Sequence, residues 1–238
     1  MKKVLKLWFV VMALAGMAWG PSASAAPVYT GVLEVRNAAD TLLGYVSRQH
    51  VLFGEYGLVA NVADAAAVQF TGAPRFSILA TDGPTPAYPY IGAVSGFWNV
   101  GGDDFGAGIY NYAYMAGTTA TAPGAVPAPG ANAFTDATGA SESIASAFWS
   151  IAGLDLSAHW VNGDGSSATT YLIHYTADNV FLLTGDPDAF SEEFGAYTLV
   201  SLRFSGRIDD PTAVPEPAAA ALFGIGLLAL VLARRRRG

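Results

Sequence analysis

The chain predicts an all-β fold, an antiparallel β-sandwich of jelly-roll type. Three observations predict it. Long helical periodicity is missing from the body of the chain. In its place run about ten short segments rich in Val, Ile, Tyr, Phe, Thr and Trp, at roughly 8–15-residue spacing. Gly, Pro, Asn and Asp punctuate them, as hairpin connections require.

The elements follow in order. Residues 28–36 read as a first strand, and a turn at 37–40 leads into a second at 42–48. Strands at 67–70 and 76–80 flank Thr71-Gly72-Ala73-Pro74. Aromatic strands at 90–100 and 108–115 flank Gly101-Gly102-Asp103-Asp104. Residues 117–139, rich in Ala, Pro, Thr and Gly, read as a long surface loop. Strands at 143–151, 156–162, 169–175 and 180–184 come at short intervals. One short helix follows: Asp186 can N-cap it, Pro187 suits its first turn, Phe190 and Phe194 fall one turn apart, and Glu192 and Glu193 point outward. The clearest strand is 197–208, where Val200, Leu202 and Phe204 alternate with Ser201, Arg203 and Ser205, burying one face and wetting the other.

Charge is unevenly placed. The chain has twelve basic and nineteen acidic residues, a net charge of −7. Lys2, Lys3, Lys6, Arg234, Arg235, Arg236 and Arg237 sit at the two ends, so the body keeps five arginines against nineteen carboxylates, a formal charge of −14, and no lysine. That balance argues against nucleic acid and anionic membrane surfaces as partners. It suits a solvated exported protein or one that gathers divalent cations. The chain has no cysteine, which excludes thiol catalysis, iron–sulfur clusters and Cys-rich zinc sites.

Both ends read as export signals. Met1-Lys2-Lys3 with Lys6 is a positive n-region, 7–19 is apolar, and Ala23-Ser24-Ala25 is a small-x-small cleavage site. This predicts a signal peptide at 1–25, a β-sandwich domain at 26–208, a linker at 209–214 and a tail at 215–238. The tail begins at the Val214-Pro215-Glu216-Pro217 break, which stops regular structure. An apolar run of 16 residues (218–233) follows, then Arg234, Arg235, Arg236 and Arg237. As a transmembrane helix the run would reach about 24 Å, short of a hydrocarbon core of about 30 Å. It reads as a temporary hold in the inner membrane, with the arginines on the cytoplasmic side.

Together these ends resemble the PEP-CTERM class of exported bacterial proteins, on Val214, Pro215, Glu216, Pro217, the apolar span and the arginine cluster. The resemblance implies export through the Sec translocon, cleavage by signal peptidase and recognition of the tail by exosortase, an integral-membrane sorting enzyme. It implies a Gram-negative host that makes exopolysaccharide, and a final location at the cell surface or in the extracellular matrix. It says nothing of the body, because the tail is shared by unrelated bodies. A second likeness covers the body: Trp160-Val161-Asn162-x-Asp164-Gly165-Ser166 with Leu183-Thr184-Gly185-Asp186-x-x-x-Phe190 resembles a pattern in uncharacterised secreted all-β proteins. It implies a sandwich and no activity.

Candidate chemistry is sparse. His159 and His174 fall on neighbouring expected strands, where Asp155 or Asp164 could join them around a metal, but no HxH or HExxH spacing occurs; the third histidine is His50. Asn162-Gly163-Asp164-Gly165-Ser166 looks like the start of a Ca²⁺ loop, yet the twelfth position is Ile173 rather than Glu. A calcium site of another kind from Asp103, Asp104, Asn162 or Asp164 stays open, with a plain turn as the default, and no other cofactor is expected. No GxSxG motif supports a serine nucleophile. Glu192 and Glu193, adjacent on an exposed helix, do not aim into one cleft as a glycosidase pair must. Phe97-Trp98-Asn99-Val100-Gly101-Gly102-Asp103-Asp104 weakly echoes His159-Trp160-Val161-Asn162-Gly163-Asp164-Gly165, which similar turn chemistry explains. Trp98 lies near Tyr110, Tyr112 and Tyr114, which share one strand face by period two. They form either a platform for sugar rings or a core face with cross-strand tyrosine pairs.

The sequence therefore predicts a non-enzymatic exported protein sorted by exosortase, with a structural or adhesive role in exopolysaccharide or biofilm. The alternative is a carbohydrate-binding module using Trp98, Tyr110, Tyr112 and Tyr114. A glycan hydrolase ranks below both.

Overall fold

A computed structural model describes residues 26–210. They hold fourteen strands: β1 (Val28–Asn37), β2 (Leu42–Val51), β3 (Glu55–Val59), β4 (Val68–Thr71), β5 (Ile78–Ala80), β6 (Tyr90–Ser95), β7 (Tyr112–Thr118), β8 (Ala128–Pro129), β9 (Ser143–Ala145), β10 (Trp149–Ala152), β11 (Asp155–Ala158), β12 (Tyr171–Tyr175), β13 (Val180–Thr184) and β14 (Tyr197–Asp209). Two short helices join them, α1 (Ala133–Thr138) and α2 (Pro187–Phe194). Ala26–Asp209 form one compact unit. The expected signal peptide, the apolar tail and the residues Val214, Pro215, Glu216, Pro217, Arg234, Arg235, Arg236 and Arg237 lie outside the described residues. Among the described residues no helix is long and apolar enough to cross a membrane.

The all-β class holds, but the sandwich does not. Eight strands close a ring of antiparallel pairs in the order β1, β4, β5, β6, β7, β13, β12, β14 and back to β1. This is a β-barrel. The closing seam joins the first and last strands: every residue of β1, from Val28 opposite Asp209 to Asn37 opposite Val200, pairs along β14. A sandwich leaves two sheets with open edges, and this seam removes them. The alternation in 197–208 predicts one buried face, and a barrel interior satisfies that pattern as well as a sandwich core does.

The other strands attach where a long strand holds two partners on one edge. β1 pairs β4 through its first half and β2 through Glu34 to Arg36. β7 pairs β13 at Tyr112 to Tyr114 and β3 at Ala116. β14 holds β12 and β11 in the same way. Gly31 lies opposite Gly206 on the seam, and a Cβ at Gly31 would strike the Ser205 carbonyl oxygen. Stacked Tyr29 and Phe70 rings, 4.8 Å apart, pack beside this crossing with Phe204 edge-on at 5.2 Å to Tyr29.

The interior is filled with side chains. Leu33, Val35, Ile78, Ile91, Ala93, Met115, Phe181, Leu183, Leu202 and Phe204 belong to one buried cluster with Trp149 and Trp160. Eight strands enclose a space that side chains can fill completely. Both indoles are buried yet satisfied: Trp149 Nε1 donates to the Ile91 carbonyl at 2.9 Å and Trp160 Nε1 to the Asp103 carbonyl at 2.9 Å.

Local departures from expectation have local causes. The long surface loop expected at 117–139 contains β8 and α1. Buried Asn132 caps that helix, accepting from Thr135 N at 2.8 Å, and Gly139 ends it with φ 77°. The expected strand 143–151 divides into β9 and β10. The expected aromatic strands 90–100 and 108–115 become β6, ending at Ser95, and β7, starting at Tyr112. Between them Asn99 substitutes for a strand: its Oδ1 accepts from Tyr112 N at 2.9 Å and its Nδ2 donates to Tyr112 O at 3.0 Å. β3 went unread because Gly54 and Gly57 look like turn residues.

Candidate functional site

Period two on β7 divides its residues between the two walls. Ala113 and Met115 join the interior cluster. Tyr112 and Tyr114 instead join residues on the outer wall, where Ile173, Val180, Leu182 and Phe190 form a second cluster. α2 lies over this wall. Asp186 caps it by accepting from Asp188 N and Ala189 N, both at 3.1 Å, and Pro187 occupies its first turn. Phe190 and Phe194 then turn onto the strands, while Glu192 and Glu193 are exposed.

The result is a cleft of about 160 Å³ lined by Trp98, Tyr112, Tyr114, Tyr175 and Asp178, with Phe190 and Phe194 beneath. The rings meet mostly edge to face. Tyr112 contacts Tyr114 at 5.1 Å, Phe190 at 5.6 Å and Phe194 at 5.2 Å, and Tyr175 contacts Phe190 at 5.9 Å. The Tyr112 and Tyr114 hydroxyls share a hydrogen bond at 3.0 Å. Gly96 makes room for this packing, since a Cβ there would sit 2.6 Å from the Tyr112 ring.

Trp98 stands at the rim, 63% exposed, with Phe97 edge-on against it at 5.1 Å. A buried asparagine holds the loop that carries them. Asn111 Oδ1 accepts from Val100 N at 2.8 Å, and its Nδ2 reaches the carbonyls of Val100, Gly102 and Asp104 at 2.9–3.1 Å. An exposed indole on a fixed loop is a surface shaped for contact.

One carboxylate, Asp178, lines the cleft, and Glu55 is buried on the same wall. Glu55 is 1% exposed and pairs across from Ala116, on the Tyr112 and Tyr114 wall; its Oε2 accepts from Phe53 N at 2.6 Å. Burial pushes its carboxyl above the usual range, and Asp178 adds to that. Burial and the neighbouring Asp103 push the half-buried Glu142 carboxyl up. Burial raises the Tyr112 phenol, with Glu142 and Glu55 adding smaller contributions. Tyr114 is pushed well above its ordinary value by burial, then by Tyr112, Glu55 and Asp178.

Of the four aromatics singled out by sequence, Trp98, Tyr112 and Tyr114 line the cleft. Tyr110 precedes β7 and packs edge-on against Phe194 at 5.6 Å. Tyr175, Asp178, Phe190 and Phe194 complete the cleft without having been singled out for it by sequence, and Glu55 is a buried carboxylate on the same wall. The Phe190 and Phe194 spacing already marked one helix face, and a carboxylate in the apolar stretch Glu55-Tyr56-Gly57-Leu58-Val59 was the available sign of Glu55.

The histidines do not gather. His159 Nε2 bonds Ser150 Oγ at 2.7 Å. His174 Nε2 faces Asn179 Oδ1 at 2.9 Å, and that oxygen also accepts from Leu58 N, so the histidine is the donor. His50 packs edge-on against Tyr56, and burial lowers its pKa to about 4. Asp155 pairs with Arg203 at 2.7 Å. The calcium candidates bond to backbone: Asp104 Oδ1 accepts from Gly163 N at 2.6 Å, Asp164 Oδ1 from Ser166 N at 2.8 Å and Asn162 Oδ1 from Phe105 N at 2.9 Å. Asp103 Oδ1 accepts from Asn99 Nδ2 at 3.3 Å. Among the described residues no group of three or more His, Asp or Glu side chains could hold a metal ion. The two echoing Trp-Asn-Gly-Asp stretches do come together, with Phe105 stacked on Trp160 at 4.8 Å.

Comparison with known proteins bears on the tail. The PEP-CTERM protein-sorting motif matches residues 213–237. Among curated proteins and among solved structures nothing matches the chain. The motif implies export, cell-surface sorting and exosortase as the processing partner.

Proposed function

We propose that the exported barrel is a non-catalytic binding module that attaches to extracellular polysaccharide through its outer cleft. One observation carries this reading: a rigid loop presents Trp98 to solvent at the mouth of a tyrosine-lined cleft. Aromatic faces stack on sugar C–H faces, and the tyrosine hydroxyls and Asp178 supply hydrogen-bonding groups at the edge. Asp178 is the one carboxylate among the described residues that lines the cleft, whereas a glycosidase needs two flanking the bond, which supports binding over hydrolysis. A structural or adhesive role in the matrix follows from such attachment. Delivery would use the Sec translocon and signal peptidase at the head, then exosortase at the tail.

Retention on polysaccharide from the producing cells tests the binding. The wild-type protein should be retained, and Tyr114→Ala should elute early; passage of both without delay excludes the reading. Intact mass of the surface-released protein tests the sorting. A mature C-terminus near Pro215 to Pro217 is expected, and a mass that retains Arg237 and Gly238 contradicts it.

A further inference from the structure

The cleft carries a carboxylate, Asp178, that no ion pair among the described residues neutralises. The described residues contain no lysine and five arginines, and every arginine is engaged elsewhere. Arg36 pairs with Glu34 and Asp40, Arg48 with Asp64, Arg203 with Asp40 and Asp155, and Arg207 with Asp209. Arg75 donates to the Pro74 carbonyl. No ion pair among the described residues reaches Glu55, Asp103, Glu142 or Asp178. Asp178 lines the cleft itself, and Glu55 is buried on the wall that carries Tyr112 and Tyr114.

Asp178 borders a cavity walled largely by aromatic rings. An aromatic face attracts positive charge, and the attraction grows when water is excluded. A neutral sugar would stack on the rings and donate a hydrogen bond to Asp178, but it would leave that carboxylate's charge unbalanced. A cation draws on both. A cavity of about 160 Å³ has room for a compact head group.

We propose that the cleft takes an organic ammonium group carried by a matrix component, with the Trp98, Tyr112, Tyr114 and Tyr175 rings as its cage and Asp178 as its counter-ion. This rests on the reading that the cleft is the working surface, and it names the chemistry that surface selects. The ammonium can be the primary amine of an amino sugar or a methylated amine.

Calorimetric titration of the full chain in a polyoxyethylene detergent tests it. The probes are glucosamine and choline, each beside a neutral counterpart, N-acetylglucosamine and 3,3-dimethylbutan-1-ol. A cation should bind about tenfold or more tightly than its neutral counterpart. Asp178→Asn and Trp98→Ala, both at exposed positions, should each weaken the cation by about tenfold and leave the unfolding midpoint unchanged. Tighter glucosamine assigns an amino sugar, and tighter choline a methylated amine. Equal binding of cation and neutral counterpart overturns the proposal while the polysaccharide-binding reading stands. So does failure of both cations to bind when the protein is still retained on matrix polysaccharide. No binding of any probe and no retention overturns both.

Discussion

The barrel interior and the cleft on its outer wall are built from the same kind of residue, yet they differ in what they leave unused. Inside, Trp149 and Trp160 are enclosed by aliphatic and aromatic neighbours, and each indole N–H is bonded to a backbone carbonyl. Outside, Trp98 is exposed, the tyrosines line open space and the nearby carboxylates lack a cation. The difference teaches that an aromatic cluster alone says little. What separates the two here is exposure and charge: the interior cluster holds no carboxylate, whereas the cleft is open at Trp98 and carries Asp178 without an ion pair.

That contrast can be broken at several points. Trp149→Ala leaves a large cavity in the interior and removes the hydrogen bond to the Ile91 carbonyl; it should cost about 3–5 kcal/mol in urea unfolding. A loss below about 1 kcal/mol would mean that the interior is not the packed core described. Asn111→Ala should cost about 1–3 kcal/mol, the penalty for leaving buried polar groups unsatisfied. It should also speed proteolysis between Gly96 and Gly108, since four bonds from one side chain hold that loop.

Glu55→Gln sharpens the comparison through pH. Burial raises the folded carboxyl above its unfolded value. A raised carboxyl favours the fold in its protonated form, so that stability is present below the unfolded pKa and is lost as pH rises through the folded one. The Gln variant, which cannot ionise, should melt higher than wild type at pH 7.5, and the gap should close towards pH 4.5. A gap that is constant with pH would remove the charge from the argument. The smallest effect on stability should come from Trp98→Ala, within about 0.5 kcal/mol, because a surface substitution away from packed features changes little.

The outer strands and α2 were legible in the sequence because each carries a local signal. Val200, Leu202 and Phe204 alternate in β14, and Asp186, Pro187, Phe190 and Phe194 mark the helix. Closure of the barrel was not legible. It depends on β1 meeting β14 across the whole length of the domain, and no residue in either strand names its partner. Half of the cleft was legible for the same reason. Trp98, Tyr112 and Tyr114 are close in sequence, whereas Tyr175 and Asp178 reach the cleft only through the β12–β13 and β13–β7 pairings. The loop ends were misplaced because Asn99 and Asn111 use side chains where a strand would use backbone.

The central claim is that the outer cleft, and not the interior, meets the ligand. Assigned indole N–H resonances of Trp98, Trp149 and Trp160, followed while polysaccharide from the producing cells is added, test it directly. The account predicts that Trp98 shifts and saturates while Trp149 stays in place. A stationary Trp98 in a protein that binds the polysaccharide would contradict it.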